Sequence, residues 1–531
     1  MDSQAPVAKT ETPAATIPAR TANPGESEEA STRGLARFVV GLAVLVALLR
    51  FVRLADWSLW IDESLTWTDW HVGLEGGEIK NPAGYWLIAQ AVRWCGGVPD
   101  EYALRILPAI VGVATVPLTW LAFRRHAGDL RASGAALLLA ASSWHVYWSQ
   151  NARFYTFAQA TALVGGWIYL VGLRRGSTVR AVIGLCVAAA GAAFHPSVAL
   201  LLPALVIAPF VMAIAGRPLD EPARRVARRC FVAGLVVAAV GAKWAFDSWR
   251  TYQLQKGFDP SLSESLSSLA HALKTSGFFV TPLLGVAVCV GILTAWKRRD
   301  REVLFVAIVV VAAFAGAFAL SLFVRVSAQY VFFLLPWVVL VACGPLARGG
   351  AVSDAAPDTV SNVEANARVE RSVVSEGGAR QGLRGGAAVA YLSLLFVPAL
   401  VTTCLYLTVR QGERPPWREA YQLVWNQRHE DDLVLGMHAT VGEYYLSPRS
   451  VDLRHPRQIG LIDYFHARDA QPWSRYPRRA WFVVNPEDFL DWKPEDAAAF
   501  QRMLREECHL VRAFPLYVES RDLSVWVYLR D

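Results

Sequence analysis

Residues 36–64 read ARFVVGLAVLVALLRFVRLADWSLWIDES. The stretch 36–54 is a nearly unbroken apolar run, close to the length that an α-helix needs to cross a bilayer. Trp57 and Trp60 follow at once, and tryptophan suits the membrane–water interface. The adjacent acids Asp62 and Glu63 come next. A span that delivers two carboxylates to its own exit, among aromatic residues, points to a membrane protein with polar chemistry on one face.

The whole chain agrees. Of its 531 residues 54% are hydrophobic and 18% charged, with a mean hydropathy of +0.30. Soluble domains usually carry about a quarter charged residues, so a disordered chain and a purely soluble multidomain enzyme both fit poorly. Eleven apolar runs of near-spanning length are predicted, at 36–54, 102–123, 132–147, 154–173, 179–194, 197–215, 230–247, 278–296, 302–323, 328–346 and 386–408. With the N-terminus in the cytoplasm, Arg and Lys collect in every inner loop, as in Arg124-Arg125, Arg174-Arg175, Arg224-Arg225 and Lys297-Arg298-Arg299. The outer connections are poorer in them, which satisfies the positive-inside rule. A further span at 85–97 would invert all later loops, so that segment is expected to lie on the outer surface as an amphipathic helix.

The predicted organisation is a disordered cytoplasmic tail (1–34), a transmembrane region (35–346) with a large outer loop (55–101), a cytoplasmic flexible linker (347–385), a last transmembrane helix (386–408) and an extracytoplasmic domain (409–531). Short apolar stretches at 433–435, 481–484 and 523–529 read as strands. The fold class is therefore a polytopic α-helical membrane protein of about eleven transmembrane helices with a small C-terminal α/β domain. The net charge of +7 does not indicate nucleic acid, because the basic residues sit between apolar runs and form no basic face. The seven cysteines contain no CxxC pair, which argues against a cysteine-based zinc site.

Four segments of the outer side carry the candidate chemistry. Asp62 and Glu63 point about 100° apart on a helix, so one is expected in the reaction and the other in packing or ligand positioning. Lys80-Asn81-Pro82-Ala83-Gly84-Tyr85-Trp86 closes the first outer loop. Ser149-Gln150-Asn151-Ala152-Arg153-Phe154-Tyr155 forms a short outer turn. Arg153 there either binds an anion such as a lipid phosphate or snorkels to water; Arg50, Arg53 and Arg105 have the same two readings. Arg325-Val326-Ser327-Ala328-Gln329-Tyr330 again places a cation beside aromatic residues. His195-Pro196 reads as a structural turn, since no partner set for a metal is visible.

These segments resemble the GT-C superfamily of polytopic glycosyltransferases, most of all bacterial relatives of the protein O-mannosyltransferases and of the lipid A aminoarabinose transferase. The resemblance rests on Asp62-Glu63, on Asn81-Pro82-Ala83-Gly84-Tyr85-Trp86, on Arg105-Ile106-Leu107-Pro108, and on Ser149-Gln150-Asn151-Ala152-Arg153-Phe154-Tyr155. It implies a sugar donor built on polyprenyl or dolichyl phosphate and transfer to a lipid, glycan or protein acceptor on the outer side, within membrane lipid. It further implies Asp62 as the base of the acid pair and Arg153 as a holder of the lipid phosphate. Arg105, Arg325 and Lys80 are the other expected phosphate-binding cations; Tyr85, Tyr155, Asn81, Gln329 and Tyr330 are expected to line the substrate pocket. The chain departs from its relatives at Asn81, where His or Lys is common, at Ala83, which replaces a second proline, and at Gln329, where Arg often stands.

With a phosphate as leaving group, one base and one anion site suffice, and direct attack would invert the anomeric carbon. Asp62 and Glu63 would also suit a divalent cation bound with donor phosphate, although no dedicated ligand cluster is visible. The excess of Arg over Lys and the long Ala and Val runs suggest a bacterial inner membrane. The competing class is a membrane transporter or lipid flippase. That class would place ionisable groups near mid-membrane, whereas the groups here sit at the outer ends of the spans.

Overall fold

The computed structural model describes residues 24–73, 81–236, 250, 261–279, 281–324, 326–347, 382–429, 432–446, 459–461, 479–492 and 494–531. Lys80 and Arg325 lie outside these residues, as do most of the expected linker and part of the expected 230–247 span.

The chain opens with α1 (Pro24–Ala47), α2 (Ile61–Val72), α3 (Pro82–Trp94), α4 (Glu101–Ala127), α5 (Asp129–Ala141) and α6 (Ser143–Ser149). It continues with α7 (Tyr155–Arg174), α8 (Thr178–Ala190), α9 (Leu201–Ile214), α10 (Leu262–Phe279), α11 (Pro282–Arg298), α12 (Arg301–Ser321), α13 (Leu335–Ala342) and α14 (Gly385–Leu407). Helix α1 starts ten residues before the end of the expected disordered tail.

Six helical segments are long and apolar enough to cross a membrane: Thr32–Phe51, Glu101–Ala127, Tyr155–Arg174, Pro196–Ile214, Arg301–Ser321 and Gly385–Leu407. A bent pair around α11 would make a seventh. Eleven full spans are therefore not found among the described residues. The 132–147 run breaks at Ser142, whose hydroxyl caps α6 by accepting from the His145 N–H. The runs at 179–194 and 328–346 form shorter apolar helices, Thr178–Ala193 and Ala328–Ala342.

Helix α5 is the hub. Its residues are mostly small or apolar, and every residue from Leu130 to Ala141 is buried, with Arg131 paired to Asp300, as expected for a helix enclosed on all sides. Helices α7 and α8 meet through glycine: a Cβ at Gly165 would lie 2.4 Å from the Ala188 nitrogen, the close approach that small residues permit.

After α14 come α15 (Trp417–Gln427), α16 (Ala439–Leu446) and α17 (Pro494–Glu507), with strands β1 (Leu433–Gly436), β2 (Ile459–Leu461), β3 (Ala480–Val484), β4 (His509–Phe514), β5 (Tyr517–Val518), β6 (Arg521–Asp522) and β7 (Val525–Arg530). Five strands form one sheet in the order β2-β1-β3-β7-β4. The β1–β2 and β1–β3 pairs are parallel, while β7 is antiparallel to β3 and β4. Strand β3 is buried throughout, as a central strand covered on both faces should be.

This unit sits directly on the 55–101 loop. Arg418 donates to the carbonyls of Ala55 and Asp56, both at 2.9 Å, and to Glu101 at 2.6 Å. The Tyr444 hydroxyl donates to the other Glu101 oxygen at 2.6 Å. The Tyr445 hydroxyl accepts from the Leu59 N–H at 2.7 Å, and the hydroxyls of Thr440 and Ser64 are 2.7 Å apart. Helix α2, which carries the acid pair, is therefore clamped from above.

Candidate active site

Asp62 and Glu63 occupy the first turn of α2, where the helix dipole favours ionised carboxylates. Their environments differ completely. Glu63 is fully buried. Its Oε1 accepts from Arg105 Nε at 2.7 Å and from the Ala152 N–H at 2.9 Å. Its Oε2 accepts from Arg105 Nη2 at 2.7 Å and from the Trp60 N–H at 3.3 Å. Burial alone would raise this carboxyl, but the guanidiniums of Arg105 and Arg414 hold it below its ordinary value.

The five N–H donors of Arg105 are all spent within the protein: beyond Glu63 they reach the carbonyls of Leu54, Trp57 and Ser58. In this geometry every N–H of Arg105 already has an acceptor, and both oxygens of Glu63 are hydrogen-bonded within the protein, which ties the acid pair's loop to the start of α4. Arg50 is spent in the same way, on His145 Nδ1 and the carbonyls of Ala47, Leu139 and Ala140.

Asp62 is half-buried. Its carboxylate makes no hydrogen bond among the described residues; only its backbone carbonyl is engaged. Arg153 donates from Nη1 to that carbonyl at 3.2 Å and to Thr66 Oγ1 at 3.3 Å. Thr66 in turn donates to the Ala152 carbonyl at 2.9 Å. Nε and Nη2 of Arg153 have no hydrogen-bond partner among the described residues. The chain thus brings a free carboxylate and a guanidinium with free donors onto neighbouring backbone.

Aromatic rings wall this place. Tyr155 lies 4.2 Å from Trp148 and 5.0 Å from His195 between ring centroids, and His195 lies 4.9 Å from Tyr330. Nδ1 of His195 accepts from the Ser197 N–H at 3.4 Å and lies 2.7 Å from the Ser197 hydroxyl, so the neutral ring carries its proton on Nε2. The ring keeps some accessible surface, yet the dense shell around it and the Arg153 charge push its pKa down to about 4. Nothing in the sequence beyond His-Pro at a turn marked this residue, because its neighbours are distant in the chain.

Tyr85 is buried in the packing of α3 against Leu59, Trp67 and Leu104, Asn81 precedes α3, and Gln329 sits beside Tyr330 in a 3-10 turn. A further residue escaped the sequence reading. Arg414, 2% exposed, lies with Nε 3.5 Å from Glu63 Oε2 and its guanidinium 4.2 Å from the Tyr147 ring centroid. Its only sequence signal is the following Pro415-Pro416-Trp417. Among the described residues no group of three or more His, Cys, Asp or Glu side chains could hold a metal ion.

No family model and no curated protein matches the sequence. Among solved structures, the chain is similar to the oligosaccharyltransferase of Archaeoglobus fulgidus in its apo form, with 10% identity, a TM-score of 0.51, and 90% of this chain and 73% of that chain covered. It is also similar to ArnT of Cupriavidus metallidurans bound to undecaprenyl phosphate, with 15% identity, a TM-score of 0.49, and 93% and 98% covered. Such identities speak of fold. The chain is a multi-pass membrane protein with the fold of the archaeal oligosaccharyltransferase.

Proposed function

We propose that this protein is an integral-membrane glycosyltransferase. It moves a hexosyl or pentosyl group from a polyprenyl-phosphate donor to a lipid, glycan or protein acceptor on the periplasmic side of a bacterial inner membrane. The N-terminus is cytoplasmic and the C-terminal domain periplasmic. One observation carries the reading: the unpartnered Asp62 carboxylate stands beside Arg153, two of whose nitrogens are unused, within an aromatic wall.

The acceptor oxygen attacks C1 of the sugar while its proton passes to Asp62. The C1–O bond to phosphate breaks, and its electron pair leaves on the lipid phosphate. Because the attack is direct, the anomeric centre inverts. Arg153 stabilises the charge that builds on the departing phosphate. The leaving group is already good, so a positioned base matters most, and general-base help is typically worth about 10²–10⁴ in rate.

The test is a transfer assay with purified protein and radiolabelled polyprenyl-phosphate sugars, read by release of lipid phosphate in the presence of envelope glycolipid, glycan or protein acceptors. Donor-dependent release by the wild type supports the reading. Release from no donor, together with isoprenoid flipping in proteoliposomes, would overturn it in favour of a flippase.

A further inference from the structure

Arg414 poses a problem that the reaction above does not solve. Its Nε, Nη1 and Nη2 are all buried without a hydrogen-bond acceptor. Buried polar groups are nearly always satisfied, and an orphan charge costs more than a neutral group. Glu63, already held by both Nε and Nη2 of Arg105, is its nearest carboxylate, at 3.5 Å. The remaining contacts are ring faces, Tyr147 at 4.2 Å and Trp60 at 5.4 Å. The indole nitrogens of Trp57, Trp60 and Trp148 are buried donors without acceptors as well, and the rings of Trp60 and Trp148 are 6.3 Å apart.

The backbone that delivers Arg414 is strained. Gln411, Gly412 and Glu413 all lie in the left-handed region, with φ of 46°, 65° and 52°. For the two residues with side chains this is an unfavourable backbone conformation. Gly412 is forced twice over, since a Cβ there would meet the Trp57 ring at 2.7 Å. Two ion pairs of Arg410, with Glu413 at 3.4 Å and Glu519 at 3.0 Å, hold the turn. Strain spent on placing a guanidinium where it finds no acceptor is the signature of a site built for a partner that is not protein.

We propose that Arg414, with the Trp60 indole N–H, forms an anion subsite beside the acid pair that receives the phosphate of an isoprenoid phosphate. The proposal rests on the donor class argued above. A phosphate offers several acceptor oxygens to a fork of N–H donors, and here it would satisfy guanidinium and indole N–H groups that have no hydrogen-bond partner. The site is closed at rest, so the anion enters by displacing the strained 411–413 turn. In this arrangement the segment that leads into the C-terminal domain takes part in donor binding.

The test uses the full chain in detergent with three probes: undecaprenyl phosphate, undecaprenol and inorganic phosphate. Binding and thermal midpoint are read for the wild type, Arg414→Met, Arg414→Lys and Arg153→Ala. The wild type should prefer undecaprenyl phosphate to undecaprenol. Arg414→Met should lose at least tenfold of that preference while the ligand-free protein melts no lower, because a buried guanidinium without hydrogen bonds is gone and Glu63 keeps Arg105. Arg414→Lys, which retains charge without the fork, should lose several-fold, and it decides the matter if the Met variant does not fold. Equal displacement by inorganic phosphate would assign the subsite to free phosphate. An unchanged preference in a folded Arg414 variant, with Arg153→Ala losing it, overturns the Arg414 subsite and leaves the donor class standing. A wild type without any preference for the phosphorylated lipid overturns both.

Discussion

Arg105 grips Glu63 with both arms of its fork, Nε to Oε1 and Nη2 to Oε2, each at 2.7 Å and with both side chains fully buried. The same carboxylate takes the Ala152 N–H. One ion pair therefore fixes α4, α2 and the turn that carries Arg153. Glu63→Gln should cost about 3–5 kcal/mol of stability, since it leaves charge buried without its partner. Combining Glu63→Leu with Arg105→Met should recover only part of that, because the carbonyls of Leu54, Trp57 and Ser58 lose their donor. Thermal midpoints of the purified variants check both statements.

The same pair sets a sign for acid stability. The folded Glu63 carboxyl titrates below its ordinary value. Its contribution is fully present above the unfolded value, about 4.3, and is lost as pH falls through the lower folded value. The melting midpoint should thus fall more steeply with acid in the wild type than in Glu63→Gln, and parallel curves for the two would refute it.

Asp62→Asn should lower kcat by about 10²–10⁴ and leave donor binding and melting midpoint near wild type. Its carboxylate has no hydrogen-bond partner among the described residues to lose. Retained turnover would remove Asp62 from the chemistry. Arg153→Ala should act differently, raising KM for the donor and slowing departure of the phosphate, so that kcat/KM falls more than kcat.

What the residues disclosed, and what they withheld, follows from range. Runs such as 36–54 and 302–323 show themselves as helices because burial in lipid needs only local composition. The break at Ser142 was hidden because Ser142-Ser143 inside an apolar run leaves the helix intact or caps a new one, and packing around α5 decides which. An arginine at an outer span end must find an anion, yet nothing local distinguishes Glu63 from a lipid phosphate. Arg105 took the carboxylate 42 positions away, while Arg153, on the next outer turn, kept free donors. Arg414 was invisible because its rings come from α6 and the outer loop, brought to it by the C-terminal unit.

His195 should impose a second pH dependence with its own window. Its ring is held neutral, with a folded pKa of about 4 against an ordinary 6.5. A depressed base favours the folded state when neutral, so the unfolded chain binds the extra proton between these values. Stability is fully present above about 6.5 and erodes as pH falls towards about 4. Between wild type and His195→Asn, the difference in melting midpoint should shrink across this interval. A difference independent of pH would show that the ring is not held neutral.

The clamp on the outer loop gives the last test. Glu101 accepts from Arg418 at 2.6 Å, from Tyr444 at 2.6 Å and from Tyr445 at 3.2 Å, three bonds joining the start of α4 to the C-terminal unit. Burial, with Glu101 close by, pushes both phenols well above their ordinary range, so they remain donors at any working pH. Hydrogen bonds to a charged group contribute about 1.5–3 kcal/mol each. Glu101→Ala should therefore loosen the C-terminal unit, raising proteolysis of the 409–416 segment and lowering turnover severalfold, although Glu101 is not placed at the reacting atoms. Tyr444→Phe, which removes one bond and keeps the ring against Trp67 at 5.5 Å, should give a smaller change in the same direction. If Glu101→Ala raised proteolysis with turnover untouched, the clamp would support only the domain's attachment, and the placement of Asp62 would have to depend on Glu63 alone.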